Sequence, residues 1–134
     1  MAKHIAIFAE RPGWHVEQLA RPLAAGGAEG QCVPLKACRF DVDQAPSRIW
    51  LPGFGGSLPD GAIVRSISAG SFEQVTLRLG LLHALGELGV PVCNDAKAIE
   101  RCVDKSMTTF LLWQAGIPTP PTWVCESPEQ ARAI

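Results

Sequence analysis

Lys105 directly follows Asp104 at the start of a helical pattern. A cation in a first helical turn opposes the helix dipole, at a cost of about 0.3–1 kcal/mol. Asp104 offsets part of this as the capping residue. Two readings stand: a surface lysine beside its capping carboxylate, or an ammonium reaching an anionic ligand between two domains. Arg65 and Ser66 close an apolar run, Ala62-Ile63-Val64, which puts them at the carboxyl end of a strand. Ligands of open parallel sheets gather there, and Glu10-Arg11 and Asn94-Asp95 hold similar places. Ser71 with Gln74 forms an S-x-x-Q capping box, and the helix terminus it opens could receive a carboxylate or a phosphate. Arg78 falls within the apolar sector of that helix, where it snorkels, pairs with a buried carboxylate or backbone carbonyl, or meets a ligand.

Other patterns exclude chemistry. Gly53-Phe54-Gly55-Gly56-Ser57 lacks the Lys-Ser/Thr of a phosphate loop, and Leu58 stands where a dinucleotide fingerprint needs its last glycine. It reads as an ordinary loop. The turn Glu10-Arg11-Pro12-Gly13-Trp14 is no NAD fingerprint and lacks the Ser/Thr-rich phosphate loop of a flavodoxin. Arg65-Ser66 ends its strand without the phospho-accepting Asp of a receiver domain. Five cysteines (Cys32, Cys38, Cys93, Cys102, Cys125) are an odd number with no C-x-x-C pair. They read as reduced thiols rather than zinc ligands or disulfides. His4, His15 and His83 share no spacing, and no metal site is expected.

The elements that position these residues alternate. Residues 4–9 suit a strand buried on both faces, and residues 14–25 a helix that Gly26-Gly27 ends. Strands are expected at 31–37, 62–67 and 91–93. Residues 45–61, rich in Pro and Gly, read as a loop. The helix over 71–88 carries two apolar stripes, Val75-Leu79-Leu82-Leu85 and Leu77-Leu81-Ala84-Leu88. So broad an apolar surface covers a sheet and touches a further helix or subunit. A helix over 104–115 stops at Gly116 and Pro118, and Thr119-Pro120-Pro121 favours an extended stretch. The alternation predicts an α/β, Rossmann-like three-layer domain with a mostly parallel sheet of about four strands.

Composition agrees. The 134 residues are 47% hydrophobic and 19% charged, with 12 basic and 13 acidic side chains and a net charge of −1. This balance disfavours a charge-driven nucleic-acid binder. No run approaches the roughly 18 apolar residues of a membrane span, and the N-terminus lacks signal-peptide organisation. With its cysteine usage, the chain is expected to be soluble and cytoplasmic. Near the end, residues 122–125 look like a new strand. Ser127-Pro128-Glu129-Gln130 then opens a helix with a capping serine and Pro at its first position. About one turn of body follows, too little to stand alone. The tail therefore reads as the opening of a domain cut short.

The run from Asn94 through Ala98-Ile99-Glu100-Arg101 to Asp104-Lys105, followed by Leu111-Leu112 and Ala115-Gly116-Ile117-Pro118-Thr119-Pro120-Pro121-Thr122, carries a resemblance. With Val64–Ile67, Gly70–Gln74 and Arg78–Leu85, it resembles the N-terminal, pre-ATP-grasp part of RimK-type ATP-grasp carboxylate–amine ligases. The tetrahydromethanopterin glutamate ligase branch is the nearest. The resemblance covers residues 63–127 well and the first sixty residues in layout only. It implies a pre-ATP-grasp domain over 1–100, a linking helix and Pro-rich hinge over 101–121, and the truncated start of an ATP-grasp domain over 122–134. It further implies an enzyme that uses ATP and Mg2+ to phosphorylate a carboxylate, which an amine then attacks. The amine is that of an amino acid, glutamate by preference, and the acceptor is a small molecule or peptide. In the family pattern Lys105 contacts the nucleotide phosphates, and Arg65, Ser66 and Ser71 are candidates for holding the acceptor. The catalytic portion of such ligases lies downstream, so residues 1–134 alone are expected to be inactive. The alternative is a stand-alone binding or dimerisation module that pairs through the 71–88 helix.

Overall fold

The structure is a computed structural model that describes residues 2–43 and 46–134. The chain divides into two compact units, Met1–Lys97 and Ala98–Ile134. In the first, the strands β1 (Lys3–Phe8), β2 (Ala28–Val33), β5 (Gly61–Val64) and β6 (Val92–Cys93) form one sheet in the order β2-β1-β5-β6. Every pairing in it is parallel. A separate antiparallel ribbon joins β3 (Arg39–Phe40) to β4 (Ile49–Trp50). Helix α1 (Trp14–Ala25) links β1 to β2, and helix α2 (Phe72–Glu87) links β5 to β6. The α/β class and the mostly parallel four-strand sheet stand as the sequence implies.

β1 is central, and its side chains explain the sheet. Ala6, Ile7 and Phe8 are each 0% exposed, as expected of a strand covered on both faces. The register sets Ile7 beside Cys32 and Ile63, and Phe8 beside Val33 and Val64. On the Ile7 face, Val16 of α1 joins Ile7 and Ala9 in the core, with Leu19, Ala20, Leu23 and Cys32 packed around them. Gly30 permits this approach: a Cβ there would lie 2.9 Å from Ile7 Cδ1 and 3.0 Å from Leu23 Cδ1. On the opposite face Ala6, Phe8, Val33, Ala62 and Val64 are buried. The β5–α2–β6 crossover, of a kind that is right-handed as a rule, contributes the buried Leu81, Leu82 and Leu85 of α2 to the core. Each such large apolar side chain contributes about 1.5–3 kcal/mol.

α2 opens as its sequence requires. The Ser71 hydroxyl accepts from the Gln74 N–H at 3.3 Å, while the Gln74 side chain accepts from the Ser71 N–H at 3.1 Å. Its apolar surface is only partly used, for Phe72 is 82% exposed, Leu77 49% and Leu88 46%.

Several expected boundaries move. The strand expected at 31–37 begins earlier, at Ala28, and ends at Val33. Leu35–Ala37 is a turn of 3-10 helix, because Pro34 supplies no N–H to a ladder. The 62–67 strand stops at Val64. The loop expected over 45–61 contains β4, while Ala45 at its start lies outside the described residues.

The second unit holds most of helix α3 (Ala96–Val103), then α4 (Lys105–Gln114) and α5 (Pro128–Arg132). α3 was not anticipated as a helix. Asp104 caps α4 by accepting from the Met107 N–H at 3.1 Å, and Ser127 caps α5 by accepting from the Gln130 N–H at 3.2 Å. The strand expected at 122–125 is absent. No strand among the described residues pairs with the segment, and without a ladder there is no strand.

Candidate functional site

The connections from β1 to β2 and from β5 to β6 leave the sheet in opposite directions, so the strand order reverses between β1 and β5. A crevice opens at the carboxyl ends of strands that diverge in this way. Here it is a cleft of about 380 Å³ lined by residues 9–16 together with Arg65 and Ser66. That volume suits a small ligand.

Backbone hydrogen bonds hold the two walls together. The Phe8 carbonyl at the end of β1 accepts from the Arg65 N–H at 2.9 Å and from the Ser66 N–H at 3.2 Å. Ala9 N–H donates to the Val33 carbonyl at 3.2 Å, which fixes the start of the other wall. Asn94 donates through its side-chain amide to the Val64 carbonyl at 3.2 Å. Asn94 therefore braces the end of β5 and does not line the cleft. Farther along the β5–α2 connection, the Arg78 guanidinium donates to the carbonyls of Ser68 and Ala69. Of the roles open to a buried arginine on this helix, bonding to backbone carbonyls is the one it fills. This ties the β5–α2 connection to α2.

The cleft's charges are Arg11, Arg65 and Glu10, all exposed. Neither guanidinium has a hydrogen-bonding or ion-pair partner among the described residues. Trp14 is 67% exposed and meets the ring of His15 edge to face, with centroids 5.0 Å apart. At the start of α1, Gly13 offers no side-chain cap, and the Glu17 N–H donates to its carbonyl at 3.0 Å. The cleft thus combines cations, a broad aromatic side chain and one carboxylate. It can hold and orient an anionic molecule, but no nucleophile–base pair is assembled in it.

The four residues singled out from the sequence separate. Arg65 and Ser66 lie together in this cleft. Ser71 does not line it, and its hydroxyl, besides capping α2, donates to Glu73 Oε2 at 2.7 Å. That bond is the leading cause holding the Glu73 carboxyl below its usual range. Lys105 belongs to the second unit, where its ammonium donates to the Cys102 carbonyl near the end of α3. A cation there favours the α3 dipole as much as it opposes that of α4. Beside it the Ser106 hydroxyl, followed by the Met107 N–H, holds Asp104 below the usual carboxylate range. Trp14 belongs to no motif in the sequence, where it is simply the first residue of a helix. Its place directly after the β1 turn was the available signal. The second unit has a further groove of about 510 Å³ along Phe110, Trp113 and Pro120-Pro121. Among the described residues no group of three or more His, Cys, Asp or Glu could hold a metal ion, and no helix is long and apolar enough to cross a membrane.

No family model matches the chain. A tetrahydromethanopterin:alpha-L-glutamate ligase of Methanosarcina acetivorans is 40% identical over 72 residues, which is 54% of this chain and 22% of that protein. Among solved structures, the ATP-grasp ligase PsnB complexed with precursor peptide PsnA2 and AMPPNP matches with a TM-score of 0.63 and 21% identity, over 98% of this chain and 50% of that one. The same ligase complexed with minimal precursor, Mg and ADP matches with a TM-score of 0.67 and 21% identity, over 96% and 48% of the two chains. The chain is therefore similar to ATP-grasp ligases in sequence and fold. It spans about a fifth of the curated relative and about half of the solved one.

Proposed function

We propose that the chain is the substrate-holding, N-terminal part of an ATP-dependent carboxylate–amine ligase. The observation that carries this reading is the 40% identity over 72 residues to a glutamate ligase, joined to the fold shared with an ATP-grasp ligase. In this reading residues 1–100 are the pre-ATP-grasp domain, 101–121 the link, and 122–134 the opening of the ATP-grasp domain. ATP phosphorylates a carboxylate and leaves as ADP. An amino acid's amine then attacks the acyl phosphate, forming the amide and releasing phosphate. Charge on the transferring phosphoryl group needs fixed cations to offset it. Lys105 supplies one of them from this chain, by exchanging the Cys102 carbonyl for a nucleotide phosphate. The residues described here do not fit a magnesium site, because they offer no cluster of acidic ligands. Mg2+ and most of the nucleotide contacts fall to the half of such ligases that this chain does not cover. Arg65 and Ser66, in the switch-point cleft, hold the acceptor.

The test is an assay of a longer polypeptide containing this chain, with ATP, Mg2+, glutamate and candidate acid acceptors. Acceptor-dependent ADP release and amide formation are expected, together with their loss in Lys105→Ala. Residues 1–134 alone are expected to show neither. Micromolar, Mg2+-dependent ATP binding by residues 1–134 alone would contradict the division of labour proposed here. A stand-alone module pairing through α2 would use Phe72, Leu77 and Leu88. It predicts a dimer by light scattering that Leu77→Asp disrupts, and no nucleotide chemistry in any longer form.

A further inference from the structure

We infer that the switch-point cleft selects a ligand in which a planar aromatic ring sits beside an anionic group. Trp14 takes the ring, and Arg11 and Arg65 take the anion. Calling that ligand the acceptor rests on the ligase reading, but the binding preference does not.

Three observations converge. First, the cleft holds about 380 Å³, enough for a ring and its substituent. Second, Arg11 and Arg65 come from the two walls, one after β1 and one after β5, and neither has a partner among the described residues. Arg39 and Arg78 in the same unit are engaged, Arg39 with Asp41 at 3.0 Å and over the Trp50 ring, and Arg78 with backbone, whereas Arg21 on α1 is free among the described residues, like the two cleft arginines. Third, Trp14 lines the cleft yet is 67% exposed, and the His15 ring meets it edge to face. Indole is the side chain that gains most from covering a flat apolar surface, and offset or edge-on stacking adds to area burial. Glu10, on the same wall, disfavours a ligand with several adjacent negative charges. The combination favours a single carboxylate or similar anion attached to a ring. A bare inorganic anion leaves Trp14 unused.

Hippurate is a suitable probe, with N-acetylglycine as the same acid lacking a ring and benzamide as the ring lacking an anion. Each is titrated into the isotopically labelled chain while the amide resonances are followed. Hippurate is expected to bind with a dissociation constant on the order of 1 mM, usual for so small a molecule. Its shifts should centre on residues 9–16 and 65–66. N-acetylglycine is expected to bind about fivefold more weakly, the size of one aromatic contact. Benzamide should be weaker by about tenfold for want of charge-assisted bonds. Trp14→Ala should erase the difference between hippurate and N-acetylglycine, and Trp14→Phe should keep part of it. Arg11→Ala and Arg65→Ala should weaken both acids. Equal binding of the two acids, shifts centred elsewhere, no binding at all, or a ring preference that survives Trp14→Ala would each overturn the inference. Trp14 is exposed, so Trp14→Ala should fold normally, and unchanged far-ultraviolet circular dichroism checks this. Ring preference without ligation by a longer polypeptide would sink the ligase reading alone. Ligation without ring preference would sink this inference alone.

Discussion

Arg78 is the residue whose replacement tests how the β5–α2 connection, which leads away from the cleft residues Arg65 and Ser66, is held. It is only 7% exposed and donates to the carbonyls of Ser68 and Ala69, at the turn between β5 and α2. Hydrogen bonds from a charged donor are each worth about 1.5–3 kcal/mol net. The Ser68 bond is buried and counts in full, while the Ala69 carbonyl is partly reached by water and counts roughly half. Arg78→Met keeps much of the apolar volume and relieves the desolvation of a guanidinium, which returns about 1 kcal/mol. The net loss is about 2 kcal/mol. For a domain of this size that lowers the melting temperature by about 8–16 °C. Urea unfolding followed by far-ultraviolet circular dichroism gives the free energy, and hippurate titration gives the effect on the cleft. Arg78→Lys, which keeps the charge but not the fork, should fall between parent and Arg78→Met. An Arg78→Met chain within about 0.3 kcal/mol of the parent would refute the reasoning, because additive error alone is that large.

Three further outcomes are expected. Ser71→Ala should cost about 1 kcal/mol through the lost cap of α2, read by the same urea titration. Gly53→Ala should destabilise the first unit, because Gly53 has φ 84° and an added Cβ would stand 1.6 Å from Gln31 Nε2, which donates to the Pro52 carbonyl; a shift in urea midpoint checks it. Timed alkylation followed by mass spectrometry should modify Cys93, Cys102 and Cys125 first, since these are exposed, whereas Cys38 is buried with its thiol pushed up by desolvation to about 12. An acid whose folded pKa is raised stabilises the fold in its protonated form. That contribution is complete below the unfolded thiol's value near 9.0 and is lost as pH rises from there towards about 12.

Local signals in this sequence were legible and partnerships were not. Ser71 with Gln74, Asp104 and Ser127 announced their helices because a cap is settled by residues three apart. β1 was readable from its unbroken apolar run. β2 was misplaced because its true start, Ala28, is set by pairing with Lys3, which no local pattern around residue 28 reveals. β3 and β4 have two residues each and exist only through each other. α3 is strongly amphipathic, but its 8 residues begin just after the β6 strand end and span barely two turns, too short for periodicity to mark a helix by itself. Residues 122–125 have strand-forming side chains and no partner strand. For the cleft, the strand-end rule located Arg65, Ser66, Glu10 and Arg11, whereas Asn94 turned out to be a brace. The importance of Trp14 depends on β1 and β5 being neighbours, and that is a property of the strand order alone.

The position of β1 also dictates the order in which the first unit can assemble. β1 is synthesised before the other strands of its sheet, yet it lies inside that sheet, with Ile5 opposite Gly30 on one side and Gly61 on the other. A nascent chain carrying β1, α1 and β2 can close one side of this strand while Ala62 and Val64 are still to be made. The other edge of β1 then stays unpaired until β5 leaves the ribosome, and the Phe8 carbonyl waits for Arg65 and Ser66. Pairings so distant in sequence close slowly, and an open apolar edge invites association with other chains meanwhile. The interval between residues 33 and 61 is therefore the stage of synthesis at which this protein most needs protection, and substitutions that slow β5 docking should lower soluble yield more than they lower final stability.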